Sequence, residues 1–353
     1  MSDLKALLDR ADRAVAHVPL PADGLEGLQR RRDRKRRNQR IAAGVVGIAV
    51  FVAAVWIVMS IGSSDRTQTP AVPGGTETGP ATPPAGTGPE TFLIDLNTGE
   101  MTRLPESIAG VGYSVSPDGT MVAYTSGGQF FIASPDGTDV QQVMHDRRVR
   151  GELDWSPDGE AIAFSRVSGE FQNIFVLDLA TGETSQVTNE KPRTETNIEY
   201  TGVGVGAFSP QFSPDGASIV YSVNRGDGFS VRSVPVTGGK STLLVGAGKN
   251  DVEAWQPTFS PDGSLAVACS GRLEGICIAN ADGTNLRELV SDPSLFGPRW
   301  SPDGTRIAYL NQENYPDNRV FVVDLATGET TFVAQGTAID WLDDHTLIVL
   351  HYP

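Results

Sequence analysis

Ser116-Pro-Asp-Gly119, Ser156-Pro-Asp-Gly159, Ser213-Pro-Asp-Gly216, Ser260-Pro-Asp-Gly263 and Ser301-Pro-Asp-Gly304 punctuate the chain, and an apolar strand follows each: MVAYTS, AIAFSR, SIVYSV, LAVACS and RIAYLN. Trp341-Leu-Asp-Asp344, followed by TLIVLH, is a degenerate further copy. These letters specify a turn, not a reaction. Pro presets φ for the second position, Asp hydrogen-bonds nearby backbone N–H groups, and Gly accepts positive φ. Asp118, Asp158, Asp215, Asp262 and Asp303 are therefore read as turn residues. The starts at 116, 156, 213, 260, 301 and 342 are separated by 40, 57, 47, 41 and 41 residues.

That period lies within and somewhat beyond the roughly 40–45 residues of a four-stranded propeller blade. A second series of turns alternates with the first: Asn97-Thr98-Gly99, Asp136-Gly137, Thr181-Gly182, Gly238-Gly239, Asp282-Gly283 and Thr327-Gly328. Each sits between two apolar runs, which is a hairpin signal. The two series predict an all-β, six-bladed propeller with strands A to D in each blade. Thr91–Pro105 reads as a C–D hairpin and Ile339–Pro353 as an A–B hairpin, so the two together complete one blade and leave no open sheet edge. Val115, Trp155, Phe212, Phe259, Trp300 and Trp341 precede the turns and are expected to fill the wedges between blades. Five turn aspartates spread around a ring do not converge on one metal or catalytic centre.

Trp155-Ser-Pro-Asp-Gly with Ile162-Ala-Phe164, and Trp300-Ser-Pro-Asp-Gly with Ile307-Ala-Tyr309, resemble the W-S-P-D-G-x-x-I-A-F/Y pattern of the WD40-like, TolB-type propeller family. The resemblance covers about residues 91–353 and implies the fold. It implies a binding platform or an accessory domain rather than one defined activity, because fold alone does not give function.

The segments before the repeat place the domain. Ile41–Ile61 is 21 residues without a charge, long enough as a helix to cross a bilayer, and a transmembrane helix is expected over 41–62. Arg30, Arg31, Arg32, Arg34, Lys35, Arg36, Arg37 and Arg40 precede it and only Arg66 follows closely, so the N-terminus is expected in the cytoplasm and the propeller outside it, as with a signal anchor. Within 1–40, Leu4, Leu7, Leu8, Ala11, Ala14 and Val15 recur at helical spacing, which suggests a short amphipathic helix and a cytoplasmic protein partner. Residues 63–90, rich in Pro, Gly and Thr, read as a disordered linker.

The chain of 353 residues carries a net charge of −15, with +5 in the first forty residues and −20 in the rest, which argues against nucleic acid as a partner of the whole molecule. No G-x-S-x-G elbow, phosphate loop, C-x-x-C or histidine metal spacing appears, so no catalytic residue, metal or cofactor is assigned. Cys269 ends one strand and Cys277 opens the next, so hairpin pairing would set them opposite each other and a disulfide is expected. The B–C and D–A loops share one face of a propeller. Arg147, Arg148, Arg150, Lys191, Arg193, Tyr200, Arg225 and Tyr315 lie in them and are the candidate contacts for a protein or cell-envelope ligand. Arg225-Gly226-Asp227 matches an adhesion tripeptide by letters only, Gly serving the turn. The expected function is a non-enzymatic binding or sensing module at the cell membrane. A propeller enzyme acting on surface glycans or peptides is the first alternative, and signalling through the cytoplasmic helix is the second. Carboxylates and arginines converging on the central channel would favour the enzyme.

Overall fold

The chain divides into two units, Met1–Ser60 and Ile61–Pro353. A computed structural model describes, within the second, residues 90–105, 110–126, 129–169, 171–191, 206–226, 228–246, 249, 251–313 and 318–351. The expected cytoplasmic tail, membrane span and linker lie outside the described residues, apart from Glu90. Among the described residues no helix is long and apolar enough to cross a membrane.

All regular structure here is β. The first strands are β1 (Glu90–Asp95), β2 (Met101–Arg103), β3 (Val111–Val115), β4 (Val122–Ser126), β5 (Gln129–Ala133), β6 (Gln141–His145), β7 (Val149–Trp155), β8 (Ala161–Ser168), β9 (Phe171–Asp178), β10 (Thr184–Gln186), β11 (Gly206–Phe212) and β12 (Ser218–Asn224). There follow β13 (Phe229–Pro235), β14 (Thr242–Gly246), β15 (Val252–Phe259), β16 (Leu265–Gly271), β17 (Gly275–Ala279), β18 (Arg287–Val290), β19 (Leu295–Trp300), β20 (Arg306–Asn311), β21 (Arg319–Asp324), β22 (Thr330–Gln335), β23 (Ala338–Trp341) and β24 (Thr346–His351). Antiparallel groups of four form from β3–β6, β7–β10, β11–β14, β15–β18 and β19–β22. The remaining sheet runs β2-β1-β24-β23, with β1 paired to β24 from Glu90↔His351 to Asp95↔Thr346. Hydrogen bonds between the two ends of the propeller therefore complete this sheet.

Each Ser-Pro-Asp-Gly turn joins the first and second strands of a group, and its glycine has positive φ, 71° at Gly119 and 74° at Gly159. The serine is buried at every copy. At the first copy Ser116 Oγ donates to Asp118 Oδ1 at 2.6 Å and accepts the Met121 N–H at 2.9 Å. The serine hydroxyl thus fastens the turn from inside while the aspartate faces solvent. That hydroxyl is the main reason the Asp118, Asp158, Asp215 and Asp262 carboxyls lie below their ordinary value.

The apolar side chains do not make one central core. They make six clusters, each shared by two successive sheets. Ile162 and Phe164 of β8 pack toward the β3–β6 sheet, whereas Ala163 between them packs toward the β11–β14 sheet. Alternation sends adjacent residues to opposite faces, and both faces are covered, so the second strands read as continuous apolar runs. Trp155, Phe212 and Trp341 occupy the wedges expected of them.

The first strand of each group is innermost. β3, β7, β11, β15, β19 and β23 pack each on the next, and β23 packs on β3. Inner strands bulge: the register of β3, β7, β11, β15 and β19 against their partners breaks at Val111/Ser114, Arg150/Leu153, Phe208/Gln211, Trp255/Thr258 and Phe296/Arg299. Positive φ falls in each bulge, at Gly112, Gly151, Ser209, Gln256 and Gly297. Bulges re-aim side chains, and here they turn polar groups toward the ring axis.

Candidate functional site

An inner strand is a sheet edge, and its outward N–H groups need acceptors. The residue just before each wedge aromatic supplies them. Asp340 Oδ2 accepts the Val115 N–H at 2.9 Å, Ser114 Oγ the Trp155 N–H at 3.3 Å, Asp154 Oδ2 the Phe212 N–H at 2.6 Å, and Gln211 Oε1 the Phe259 N–H at 2.8 Å. Four successive sheets are thereby stapled to their neighbours by side chain to backbone. The equivalent position of β19 is Arg299, which has no acceptor to offer. That leaves the step from β19 to β23 without a staple of this kind, while at the step from β15 to β19 Gln256, from the bulge of β15, takes the place of Thr258, its Oε1 accepting the Gly297 N–H at 2.9 Å. Two tryptophans add a second bond of the same kind, Trp155 Nε1 to the Ser114 carbonyl at 3.0 Å and Trp341 Nε1 to the Arg299 carbonyl at 2.9 Å.

Arg299 crosses the ring instead. Its Nη2 lies 3.0 Å from Glu152 Oε1 on β7, which stands three inner strands away. The same carboxylate oxygen accepts Gln256 Nε2 at 3.2 Å. Three carboxylates and one guanidinium therefore share the channel. Burial pushes Asp154 up to about 8, with the charge of Asp340 adding to it, against the Phe212 N–H and Arg299. Burial likewise pushes Asp340 up to about 6, opposed by Arg299. Burial disfavours the Arg299 charge, but Glu152 and Asp340 outweigh it and hold that group above its ordinary value. Asp154 is half-buried. Both of its oxygens are engaged, Oδ1 by Gln211 Nε2 at 3.0 Å. The carboxylates are thus braced by donors rather than set beside a nucleophile. Among the described residues no group of His, Cys, Asp and Glu is placed to hold a metal ion.

On the loop face, the expected contact residues fare differently. Arg147 and Lys191 are exposed. Arg148 forks onto Asp146, with Nε 2.8 Å from Oδ1 and Nη2 2.8 Å from Oδ2. Arg150 turns back onto the carbonyls of Arg147 and Val149. Arg225 is held by Glu190, through Nε at 2.7 Å and through Nη2, and Tyr221 donates its hydroxyl to the same carboxylate at 2.6 Å. Glu190 is only 6% exposed, so it anchors Arg225 from a buried position. Burial and the Glu190 charge raise the Tyr221 hydroxyl above its ordinary value. Arg193, Tyr200 and Tyr315 lie outside the described residues, as does Asp227 of the tripeptide.

The long connection between β10 and β11 has both roots on adjacent residues of β9. The Glu190 N–H donates to Asn173 Oδ1 at 2.7 Å, and Gly206 pairs with Gln172. A Cβ at Gly206 would stand 2.2 Å from the Gln172 carbonyl oxygen, so only glycine fits this close approach.

Cys269 and Cys277 form a disulfide across the β16–β17 hairpin, with Cα atoms 6.1 Å apart. The register corrects the expected pairing. Cys269 faces Gly275, and Cys277 faces Val267, so the bond joins diagonal rather than opposed positions. Both cysteines lie on the face that carries Leu265 and Val267, buried in the wedge shared with β12–β14.

No protein-family model matches the chain. The Tol-Pal system protein TolB of Francisella tularensis subsp. mediasiatica is 30% identical over 191 residues, 52% of this chain and 40% of that protein. The match thus spans well under half of the relative's length. Among solved structures, a protein described as TolB from Agrobacterium tumefaciens superposes with a TM-score of 0.62 at 19% identity, covering 76% of this chain and 100% of that one. TolB from Acinetobacter baumannii gives 0.55 at 15% identity over 75% and 64%. An oligogalacturonate lyase from Vibrio parahaemolyticus gives 0.50 at 12% identity over 74% and 83%, so proteins named TolB and a lyase share the fold.

Proposed function

This chain belongs to the TolB-type β-propeller family, and from that premise we propose that it is a single-pass membrane protein displaying a six-bladed propeller outside the cytoplasm as a non-enzymatic protein-binding module. The observation that supports a binding role over a catalytic one is the state of the channel. Asp154 and Asp340 have both oxygens bonded to donors of their own or neighbouring inner strands, and Glu152 is bonded to Arg299 and Gln256. Groups that brace the ring are not free to move protons on a substrate, which leaves the loop face as the variable, exposed surface. The anchor and its orientation follow from the 21-residue apolar run and the arginines before it. The relatives named as Tol-Pal proteins support an envelope protein as the partner class, although the match covers too little of them to carry over a place in that system.

Protease added to spheroplasts is expected to cut the linker and release the propeller while sparing residues 1–40. Protection of the propeller would overturn the topology. Crosslinking on the full chain in its own membrane, followed by capture, is expected to recover an envelope protein joined to the loop face. Joining through the turn face instead would overturn the assignment of the binding surface.

A second reading has one specific observation in its favour. Asp154, near 8, stands beside Arg299 and Asp340 in the channel, and this convergence of acids and arginine is what an enzyme acting on surface glycans would use. Turnover of a uronic-acid oligosaccharide by the full chain, abolished by Asp154→Asn, would establish it; absence of turnover would remove it.

A further inference from the structure

Charge divides the propeller by face. Among the described residues, the turn face, made of the A–B and C–D turns, exposes fourteen acidic residues against two basic ones, Lys240 and Arg287. The five Ser-Pro-Asp-Gly aspartates are among the fourteen, and so are Asp136, Asp178 and Asp282 of the C–D turns. These carboxylates accept hydrogen bonds inside their own turns: Asp136 Oδ1 takes the Thr138 N–H at 2.9 Å and the Thr138 hydroxyl at 2.7 Å. Such bonds hold Asp136 and Asp282 below their ordinary value, so the face keeps its charge down to about pH 4. The loop face differs. Arg147, Arg148, Lys191, Arg272 and Arg319 are exposed there, against Asp251 and Glu313. Other carboxylates of that face are already held by arginines, Glu190 by Arg225 and Asp146 by Arg148 and Arg166. The loops outside the described residues add six acidic residues and one basic one by sequence, which brings the loop face close to neutral.

The chain joins the propeller on the neutral side. β1 starts at Glu90, opposite His351 at the loop-face end of β24, and runs to Asp95, whose Oδ1 accepts the Asn97 and Thr98 N–H groups of the first C–D turn. Everything before Glu90 is therefore attached to the loop face. The turn face stands at the other end of the strands, roughly 20 Å away at about 3.3 Å per residue. That exceeds two screening lengths of about 8 Å at physiological ionic strength.

We propose that at an anionic lipid surface the propeller stands with its loop face toward the headgroups and its turn face away from them. Attachment and charge act in the same direction. The first keeps the neutral face near the bilayer, and like-charge repulsion opposes any rotation that would bring the acidic face within a screening length of it. This orientation rests on the membrane anchor proposed above. It restricts a ligand of the loop face to one that can enter the layer next to the bilayer.

The test uses the full chain reconstituted into vesicles of phosphatidylglycerol and phosphatidylcholine that carry a headgroup quencher. A single fluorophore is attached through Ser291→Cys, in an exposed D–A loop, or through Ala217→Cys, in an exposed A–B turn; the native cysteines are in a disulfide and take no label without reductant. Flotation on a density gradient comes first. A chain that does not float would overturn the anchor and the orientation with it. In a chain that floats, the label at 291 is expected to be quenched at least about twofold more than the label at 217, since the faces stand roughly 20 Å apart. In vesicles of phosphatidylcholine alone the difference is expected to narrow, because the repulsion is gone and the attachment remains. Equal quenching of the two labels, stronger quenching at 217, or a difference that does not depend on phosphatidylglycerol would overturn the orientation while leaving the anchor in place.

Discussion

Asp340 Oδ2 and the backbone N–H of Val115 are joined at 2.9 Å across 225 residues of sequence. The bond links the last inner strand to the first, at the step where hydrogen bonds between the two ends of the propeller close the ring. Asp340→Ala removes an acceptor and orphans a part-buried N–H, at a cost of about 1–3 kcal/mol. Asp340→Asn retains an acceptor oxygen and is expected to recover most of that loss. Urea melts of the two variants check the difference; equal losses would show that the charge, not the staple, matters. A chain stopped at Gly336 lacks β23 and β24 altogether and is expected to lose cooperative unfolding.

The pH dependence of stability is set by opposed groups in separate ranges. Asp154 and Asp340 have folded pKa values raised to about 8 and about 6. A raised carboxylate contributes stability that is full below its unfolded value, near 4, and is lost as pH rises through the folded value. The turn aspartates are shifted downward and lose their contribution only as pH falls below about 4. Between about pH 5 and about pH 9 the channel pair therefore dominates, and Tm is expected to fall as pH rises, each ~1 kcal/mol moving the midpoint by about 2–4 °C. Asp154→Asn should flatten the profile, which differential scanning calorimetry at stepped pH will show.

Cys269 and Cys277 are 2% and 0% exposed. Neither should react with an alkylating reagent in the unfolded, unreduced chain, and both should react after reduction. Because the bridge spans 8 residues of sequence, the loop it closes is short and its removal by a double alanine substitution is expected to cost no more than about 2.5 kcal/mol. Full alkylation without reductant would show that no bond forms.

Glu190 holds Arg225 and Tyr221 from a buried position. Glu190→Ala leaves a part-buried guanidinium without its carboxylate, a change that costs about 3–5 kcal/mol when such a pair is broken from one side. Glu190→Gln keeps the bond to Tyr221 and should cost less. Chemical denaturation ranks the two; a neutral alanine variant would show that the anchor is dispensable.

The features legible in the sequence were those with short-range causes. A Ser-Pro-Asp-Gly turn is complete within four residues, so its aspartate and glycine carry a signal that needs no strand to be placed first. The partial hairpins at Thr91–Pro105 and Ile339–Pro353 were visible because each is a local pattern. The inner-strand staples were not, since each joins a side chain to a backbone 41 to 58 residues ahead, or 225 at the closing step. A trace was present: Ser114, Asp154, Gln211, Thr258, Arg299 and Asp340 are polar residues set immediately before the wedge residue, where strand alternation alone would not demand one. Arg225 resembles a loop contact from its own neighbourhood in sequence, because its partner, Glu190, lies 35 residues earlier. The bulges at Ser209 and Gln256 carry no letter that announces positive φ, because a non-glycine residue is held there by its surroundings.

Glu90 and His351 are cross-strand partners, so the first and last described residues of the propeller stand one strand spacing apart, about 5 Å. The ring therefore has a single joint that is not covalent, and its position is a matter of chain order rather than of packing. Sealing that joint with a short peptide and opening the chain at an exposed turn such as Pro157-Asp158 would give a circular permutant with the same wedges and the same staples. In such a molecule the tether could be moved from one sheet to another, turning the direction in which the propeller is presented into a variable that can be set by design.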